Sequence, residues 1–169
     1  RTGQGQAGLN HATSGIPTDC EQCHSPWRFA GAFFPAHERC FQITGGQVQV
    51  DVESSTNATL TNLVTEAPNG GYGVLLNASA NATVRGNTVR RKAGATFPYE
   101  GIWVYQSNGA LIDGNVVTDF SDAGILVDTS TGVTLQRNAS ARNVFGIDHP
   151  GSGSVSIYNN TLESHSDSG

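Results

Sequence analysis

Short runs of alternating apolar and polar residues recur along most of the chain, and each run is closed by Gly, Asn or Ser. Alternation with a period of two residues is typical of β-strands. Four runs begin on a glycine followed by apolar residues, at spacings of 28, 23 and 22 residues: Gly73, Gly101, Gly124 and Gly146. Self-similarity at a period of about 20 to 30 residues is typical of a solenoid.

An asparagine series repeats with the same three spacings: Asn87, Asn115, Asn138 and Asn160. We expect Asn62 to begin this series one coil earlier. Asparagine tolerates the left-handed backbone conformation that tight turns need. Amides stacked on successive coils, about 4.8 Å apart, can form a hydrogen-bonded ladder inside the turn.

The repeats favour a parallel β-helix over a leucine-rich repeat, because no unit carries apolar residues at helical spacing. Residues 46–169 resemble the pectin-lyase-like group of right-handed parallel β-helices, which includes polysaccharide lyases and uronate epimerases. The predicted fold is therefore all-β: a right-handed parallel β-helix of about five coils, preceded by an irregular segment over residues 1–45. A longer coil with an insertion at residues 90–99 is expected to protrude.

The N-terminal segment holds all three cysteines, and Cys20-Glu21-Gln22-Cys23-His24 fits the C-x-x-C-H pattern of covalent c-type haem attachment. The two cysteines reach the two vinyl groups of the porphyrin, and His24 is the expected proximal iron ligand. One alternative is a structural zinc site, which needs four ligands. Its candidate ligands are Cys20, Cys23, His37 and Cys40.

The stretch from Leu9 to Gly46 resembles one unit of the multihaem cytochrome c family, in which Pro-Thr-Asp often precedes the motif and Trp and Phe-x-x-His follow it. This resemblance implies one haem c per chain, since the sequence continues into the β-helix where a second motif would come. His37 is the implied distal iron ligand and His11 the alternative, with Trp27 and Phe34 against the haem. The chain has no Met, which excludes His–Met ligation within it.

The formal net charge of −5 argues against a nucleic-acid partner, which requires a basic surface. No apolar run approaches the about 20 residues that span a bilayer. Sparse charge with much Gly, Ser, Thr and Asn is typical of exported β-proteins. We therefore expect a periplasmic or extracellular protein, present here as a processed or truncated form without its signal peptide.

Together these observations predict an extracytoplasmic c-type cytochrome, which is an electron carrier and not an enzyme. Its expected partners are redox proteins or neighbouring copies of itself. The open ends of a β-helix can pair with another chain, so end-to-end stacking into a homo-oligomer or filament is expected. A purely structural fibre subunit is a further alternative.

The main alternative is a carbohydrate-binding or carbohydrate-modifying β-helix, lyase-like or epimerase-like, with a structural cysteine segment. Residues 145–150 resemble the aromatic-Gly-x-Asp-Pro-His motif of mannuronan epimerases, with the last two residues inverted. In this hypothesis three aspartates line one face and a basic trio binds an acidic sugar. The candidates are Asp113, Asp119 and Asp128, and Arg90, Arg91 and Lys92.

Overall fold

The computed structural model describes residues 49–167, and all of its regular elements are β-strands. There are fifteen short strands: β1 (Val50–Glu53), β2 (Thr59–Thr61), β3 (Val64–Ala67), β4 (Val74–Asn77), β5 (Thr83–Arg85), β6 (Thr88–Arg91), β7 (Ile102–Tyr105), β8 (Leu111–Asp113), β9 (Val116–Thr118), β10 (Ala123–Asp128), β11 (Val133–Gln136), β12 (Ala139–Ala141), β13 (Phe145–Asp148), β14 (Val155–Tyr158) and β15 (Thr161–Glu163).

The strands form three parallel five-stranded sheets. Sheet 1 has the order β1-β4-β7-β10-β13, sheet 2 the order β2-β5-β8-β11-β14, and sheet 3 the order β3-β6-β9-β12-β15. Each turn of the chain gives one strand to each sheet, so five coils are stacked in register. The predicted all-β parallel β-helix of about five coils is confirmed.

The interior is a continuous apolar core made by alternate residues of the strands. In β7, Ile102 and Val104 are fully buried, whereas Trp103 and Tyr105 point outward and are half-buried. The same alternation stacks aliphatic side chains of successive coils on one another. The largest fully buried members are Leu76, Ile102, Ile112, Ile125, Leu135, Val84 and Val89.

The glycine series marks the point where the chain enters sheet 1. A Cβ atom at Gly101 would overlap a methyl group of Val117 and the carbonyl oxygen of Gly124. The equivalent position in the coil before, Gly73, would meet Val89 and the carbonyl oxygen of Gly101. Side chains of sheet 3 therefore occupy the space above each glycine, and close packing rather than a special backbone angle requires glycine there.

The asparagine ladder lies in the turn between sheets 2 and 3. Asn115 Nδ2 donates to Asn138 Oδ1 at 3.0 Å, and Asn87 Nδ2 donates to Asn115 Oδ1 at 2.9 Å. The prediction that Asn62 begins this series is wrong by one residue. Leu63 holds the ladder position and its backbone N–H donates to Asn87 Oδ1 at 2.9 Å, while Asn62 takes the preceding left-handed position at φ 56°.

A serine ladder, which the sequence analysis missed, follows sheet 1. The backbone N–H of Ser79 donates to Ser107 Oγ and that of Ser107 to Ser130 Oγ, both at 2.9 Å. The same contact joins Ser55 to Ser79 at 3.2 Å. Polar ladders at two turns thus satisfy buried backbone groups that no strand can pair.

The insertion before β7 is held against its neighbours rather than left free. The backbone N–H groups of Thr96 and Phe97 donate to Asn69 Oδ1 at 2.7 and 2.8 Å. On its other side, Pro98 accepts a backbone hydrogen bond from Ser121 at 2.9 Å. Its first two predicted residues, at positions 90 and 91, belong to β6 instead. The insertion therefore spans the coils before and after its own.

Candidate functional site

The outward surface of sheet 1 carries a concentration of aromatic and acidic side chains, which we name the sheet 1 face. Strand register aligns one outward row across all five coils: Asp51, Leu75, Trp103, Leu126 and Asp148. A second row contains Glu53, Asn77, Tyr105 and Asp128. Tyr72 and Glu100 each lie two residues before a strand of this sheet, β4 and β7 respectively.

Three aromatic rings form a contiguous group on this face. The ring centroids of Tyr72 and Trp103 are 5.8 Å apart with an interplanar angle of 75°, an edge-to-face contact. Those of Trp103 and Tyr105 are 5.6 Å apart and tilted by 47°. All three residues are half-buried, so part of the surface of this aromatic group is accessible to solvent. Aromatic pairs of this geometry hold one another in place.

The carboxyl groups around these rings have perturbed pKa values. Burial, followed by the charge of Asp122, raises the pKa of Glu100 above its ordinary value. Burial, followed by the charge of Asp148, raises the pKa of Asp122 in turn. Burial also raises the pKa of Tyr72, and the nearby carboxylate of Asp51 adds to this shift. Partly buried carboxyl groups with raised pKa values are typical candidates for general acid–base roles.

The three aspartates expected to line one face do not do so. Asp113 lies on sheet 2, where its carboxylate is buried and paired with Arg85 at 2.9 Å and Arg137 at 2.6 Å. Asp119 follows β9 at the edge of sheet 3 and pairs with Arg142 at 2.7 Å. Of the three, Asp128 alone lies on the sheet 1 face. The first two carboxylates hold neighbouring coils together, so that hypothesis is wrong for them.

The basic trio lies away from the sheet 1 face. Arg90 pairs with Glu66 at 2.6 Å. Arg90, Arg91 and Lys92 all line an open groove of about 570 Å³ beside the insertion. At the last described coil, the motif of residues 145–150 places Asp148 on the sheet 1 face and leaves His149 exposed in the following turn. The remaining predicted site residues lie outside the described range: Cys20, Cys23, His24, His37, His11, Trp27, Phe34 and Cys40.

The aromatic group and its acidic partners were not predicted from the sequence. Trp103 and Tyr105 are recognisable in hindsight, because they alternate with buried residues directly after Gly101. Glu100 and Asp122 stand outside the strands, and only the stacking of coils shows that they are neighbours.

Three parallel sheets wound into stacked coils, with one aromatic and acidic face, define the protein as a β-helix with a solvent-facing site. The chain belongs to the family described as the right handed beta helix region, whose model matches residues 41–169. This assignment confirms the predicted handedness and the resemblance of these residues to right-handed β-helices.

A solved structure with a similar fold is that of a mutant of the periplasmic alginate epimerase AlgG. It is 15% identical, with a TM-score of 0.45, over 69% of this chain and 40% of that chain. The chain therefore spans less than half the length of that protein. No curated protein matches the sequence.

The family assignment overturns the main prediction drawn from the cysteine motif. Three quarters of the chain match a β-helix model, and the described part of this range is built on a continuous apolar core and on polar ladders at the turns. The prediction of a cytochrome that carries one haem c, transfers electrons and is not an enzyme is corrected accordingly. Within residues 49–167, no cluster of three or more His, Cys, Asp or Glu side chains is arranged to hold a metal ion. The same range holds no helix of the length and apolarity needed to cross a membrane.

Proposed function

We propose that this protein is an exported carbohydrate-binding or carbohydrate-modifying β-helix whose site is the sheet 1 face. The observation that carries the proposal is the contiguous group of Tyr72, Trp103 and Tyr105, flanked by carboxyl groups on the same surface. The alternative hypothesis of the sequence analysis is thereby kept, with a different set of residues.

The aromatic group suits a sugar because a pyranose ring has an apolar face of C–H groups and a polar edge of hydroxyls. The apolar face can pack on the exposed part of the aromatic group, and carboxylates beside the rings can accept hydrogen bonds from the hydroxyls. Leu75, the register neighbour of Trp103 on the preceding coil, is only 7% exposed, so it is held firmly beside the aromatic group. A rigid platform of this kind binds with little loss of side-chain freedom.

The acidic groups supply the chemistry for modification. Glu100 and Asp122 are close enough for the charge on Asp122 to raise the pKa of Glu100. A carboxyl group whose pKa is raised in this way keeps its proton to higher pH than an exposed carboxyl group, and it is the stronger base once ionised, which suits it to general acid–base catalysis. This pair is the proposed acid–base centre, and the aromatic group is the proposed sugar-binding platform.

A binding experiment on purified full-length protein tests the platform. The chain is run in affinity electrophoresis against a panel of soluble polysaccharides, and we expect at least one of them to retard it. Trp103→Ala should lower the affinity for that polysaccharide by about tenfold or more. Tyr158→Ala is the matched control, because Tyr158 is an outward aromatic residue of sheet 2 that is 47% exposed. Absence of binding to any glycan, or equal losses in both variants with unchanged circular dichroism, would overturn the proposal.

A second experiment tests the chemistry. Glu100→Gln keeps the size of the side chain but removes its proton transfer, so we expect modification of the glycan to be lost while binding is weakened but not abolished. Product formation is followed by new reducing ends, by absorbance of unsaturated sugars and by NMR of epimerised units. Turnover unchanged in the variant would exclude Glu100 from the acid–base role.

A further inference from the structure

Charge is segregated between the faces of the β-helix. Within residues 49–167 there are six Lys and Arg side chains, and all of them belong to sheets 2 and 3 or to the turns that follow them: Arg85, Arg90, Arg91, Lys92, Arg137 and Arg142. The two histidines of this range lie at the last coil, where His149 follows β13 and His165 follows β15. Six carboxyl groups lie on the sheet 1 face or at its entrance: Asp51, Glu53, Glu100, Asp122, Asp128 and Asp148. The sheet 1 face therefore has one sign of charge.

On the other two sheets, opposite charges are paired. Arg90 contacts Glu66, and Arg142 contacts Asp119 through both of its carboxylate oxygens at 2.7 and 2.8 Å. Among the described residues, no ion pair joins a carboxyl group of the sheet 1 face to a basic side chain. No Lys or Arg side chain among residues 49–167 neutralises this face, so its carboxylates are able to attract a cationic ligand.

The pKa shifts of titratable groups on the sheet 1 face agree with an excess of negative charge there. The pKa of Tyr72 is raised by burial first and then by the carboxylates of Asp51, Glu53 and Glu100. The charge of Asp122 contributes to the raised pKa of Glu100, and the charge of Asp148 contributes to that of Asp122. The acidic groups therefore form a connected series along the coils. No basic group contributes to any of these three shifts.

We propose that the sheet 1 face selects a glycan that carries protonated amino groups, a polymer of glucosamine type with free amines, and rejects polyuronates. This inference rests on the proposed function, because it names the ligand class of the same aromatic platform. Ammonium groups of such a polymer would meet the unpaired carboxylates, and they are also attracted to the faces of Trp103 and the two tyrosines. A uronate polymer would instead bring a like charge with every sugar unit.

The experiment compares three oligosaccharides of equal length: a glucosamine oligomer, its N-acetylated counterpart and a uronate oligomer. Affinities are measured by titration calorimetry with the full chain at about pH 6, where amines are protonated and ordinary carboxyl groups are ionised. We expect the glucosamine oligomer to bind at least about tenfold more tightly than the neutral one. Added salt should narrow this gap, since screening weakens interactions between exposed charges.

The charge contribution is isolated by the double variant Asp51→Asn/Glu53→Gln, whose two exposed carboxyl groups lie outside the proposed acid–base centre. We expect it to lower the affinity for the glucosamine oligomer by about fivefold and that for the neutral oligomer much less, because the amide oxygens still accept hydrogen bonds from hydroxyls. Glu163→Gln, which removes an exposed carboxyl group of sheet 3, is the matched control and should change neither.

The outcomes separate the two proposals. Equal binding of the glucosamine and N-acetylated oligomers, or a preference for the uronate oligomer, would overturn the charge selection. If Trp103→Ala still abolished that binding, the sugar-binding face would stand. Failure of all three oligomers and of every other glycan to bind would overturn both proposals.

Discussion

Replacing Asn115 by Ala tests whether the asparagine ladder is what ties one coil to the next. Its side chain makes four hydrogen bonds inside the β-helix. Nδ2 donates to Val84 O at 2.9 Å and to Asn138 Oδ1 at 3.0 Å, and Oδ1 accepts from the backbone N–H of Asn87 at 3.0 Å and its Nδ2 at 2.9 Å. Asn115 is fully buried, so water cannot replace these contacts.

The magnitude follows from which groups lose their partners. The backbone N–H of Asn87 loses its acceptor while Asn87 itself is only 1% exposed. Leaving a buried polar group unpaired costs about 1–3 kcal/mol, and each of the other lost bonds adds a fraction of that. We expect Asn115→Ala to lower the free energy of unfolding by about 3 kcal/mol. For a domain of this size that corresponds to a fall in Tm of about 10 °C.

The assay is urea unfolding followed by far-ultraviolet circular dichroism, with Asn108→Ala as the matched control. Asn108 is exposed and its side chain accepts one hydrogen bond, from the backbone N–H of Thr131 at 2.9 Å. Its loss should cost about 0.5 kcal/mol. If Asn115→Ala cost no more than the control, the ladder would not be what joins the coils, and the apolar stack alone would account for their register.

Three further changes have expected outcomes. Gly101→Ala should lower the free energy of unfolding by about 3 kcal/mol, because the added Cβ overlaps a valine of β9 and a backbone carbonyl; an unchanged urea midpoint would contradict this packing. Burial disfavours ionised Asp113, but the hydrogen bond from Arg137 and the charges of Arg137 and Arg85 outweigh it and lower its pKa, so its contribution to stability is lost as pH falls below about 4. Asp113→Asn should therefore flatten the acid side of the stability curve, and a curve identical to that of the native chain would refute the assignment. Because the pKa of Glu100 is raised, its ionised form opposes folding above the ordinary value of 4.5. Glu100→Gln should then raise the urea midpoint at neutral pH and have little effect in acid.

The fold was predictable because two features of the sequence repeat together. Alternating residues define the strands, and the shared spacing of the glycine and asparagine series defines the coil. The error at Asn62 shows the limit of that signal. Asparagine suits both the left-handed position and the ladder position beside it, so residue type alone cannot tell the two apart. Only the pairing of Thr61 with Arg85 places Leu63 on the ladder.

The site was less predictable because its members come from different coils. The insertion lengthens one repeat, and the register of Leu75 with Trp103 depends on how that extra length is accommodated. The sequence also does not tell whether an aspartate belongs to a site or to an ion pair. Asp113, for example, contacts its partner Arg137 only because the coils are stacked. The cysteine motif was the strongest local pattern, yet the family assignment rests on the longer and weaker repeats.

Contacts that stabilise the stacked coils lie mainly in the interior and on sheets 2 and 3. This distribution explains how the sheet 1 face can carry several carboxyl groups close together. Core side chains and turn ladders bind the coils through groups that point inward, and ion pairs on sheets 2 and 3 add contacts between coils. Sheet 1 is stacked by the same inward groups and by its own backbone hydrogen bonds, so its outward side chains are not needed for stability. The fold can therefore accommodate the electrostatic repulsion between Glu100 and Asp122. A cationic ligand that reduces this repulsion gains the corresponding free energy on binding. A stabilised Glu100→Gln variant with weaker binding of the glucosamine oligomer is the result that this argument requires.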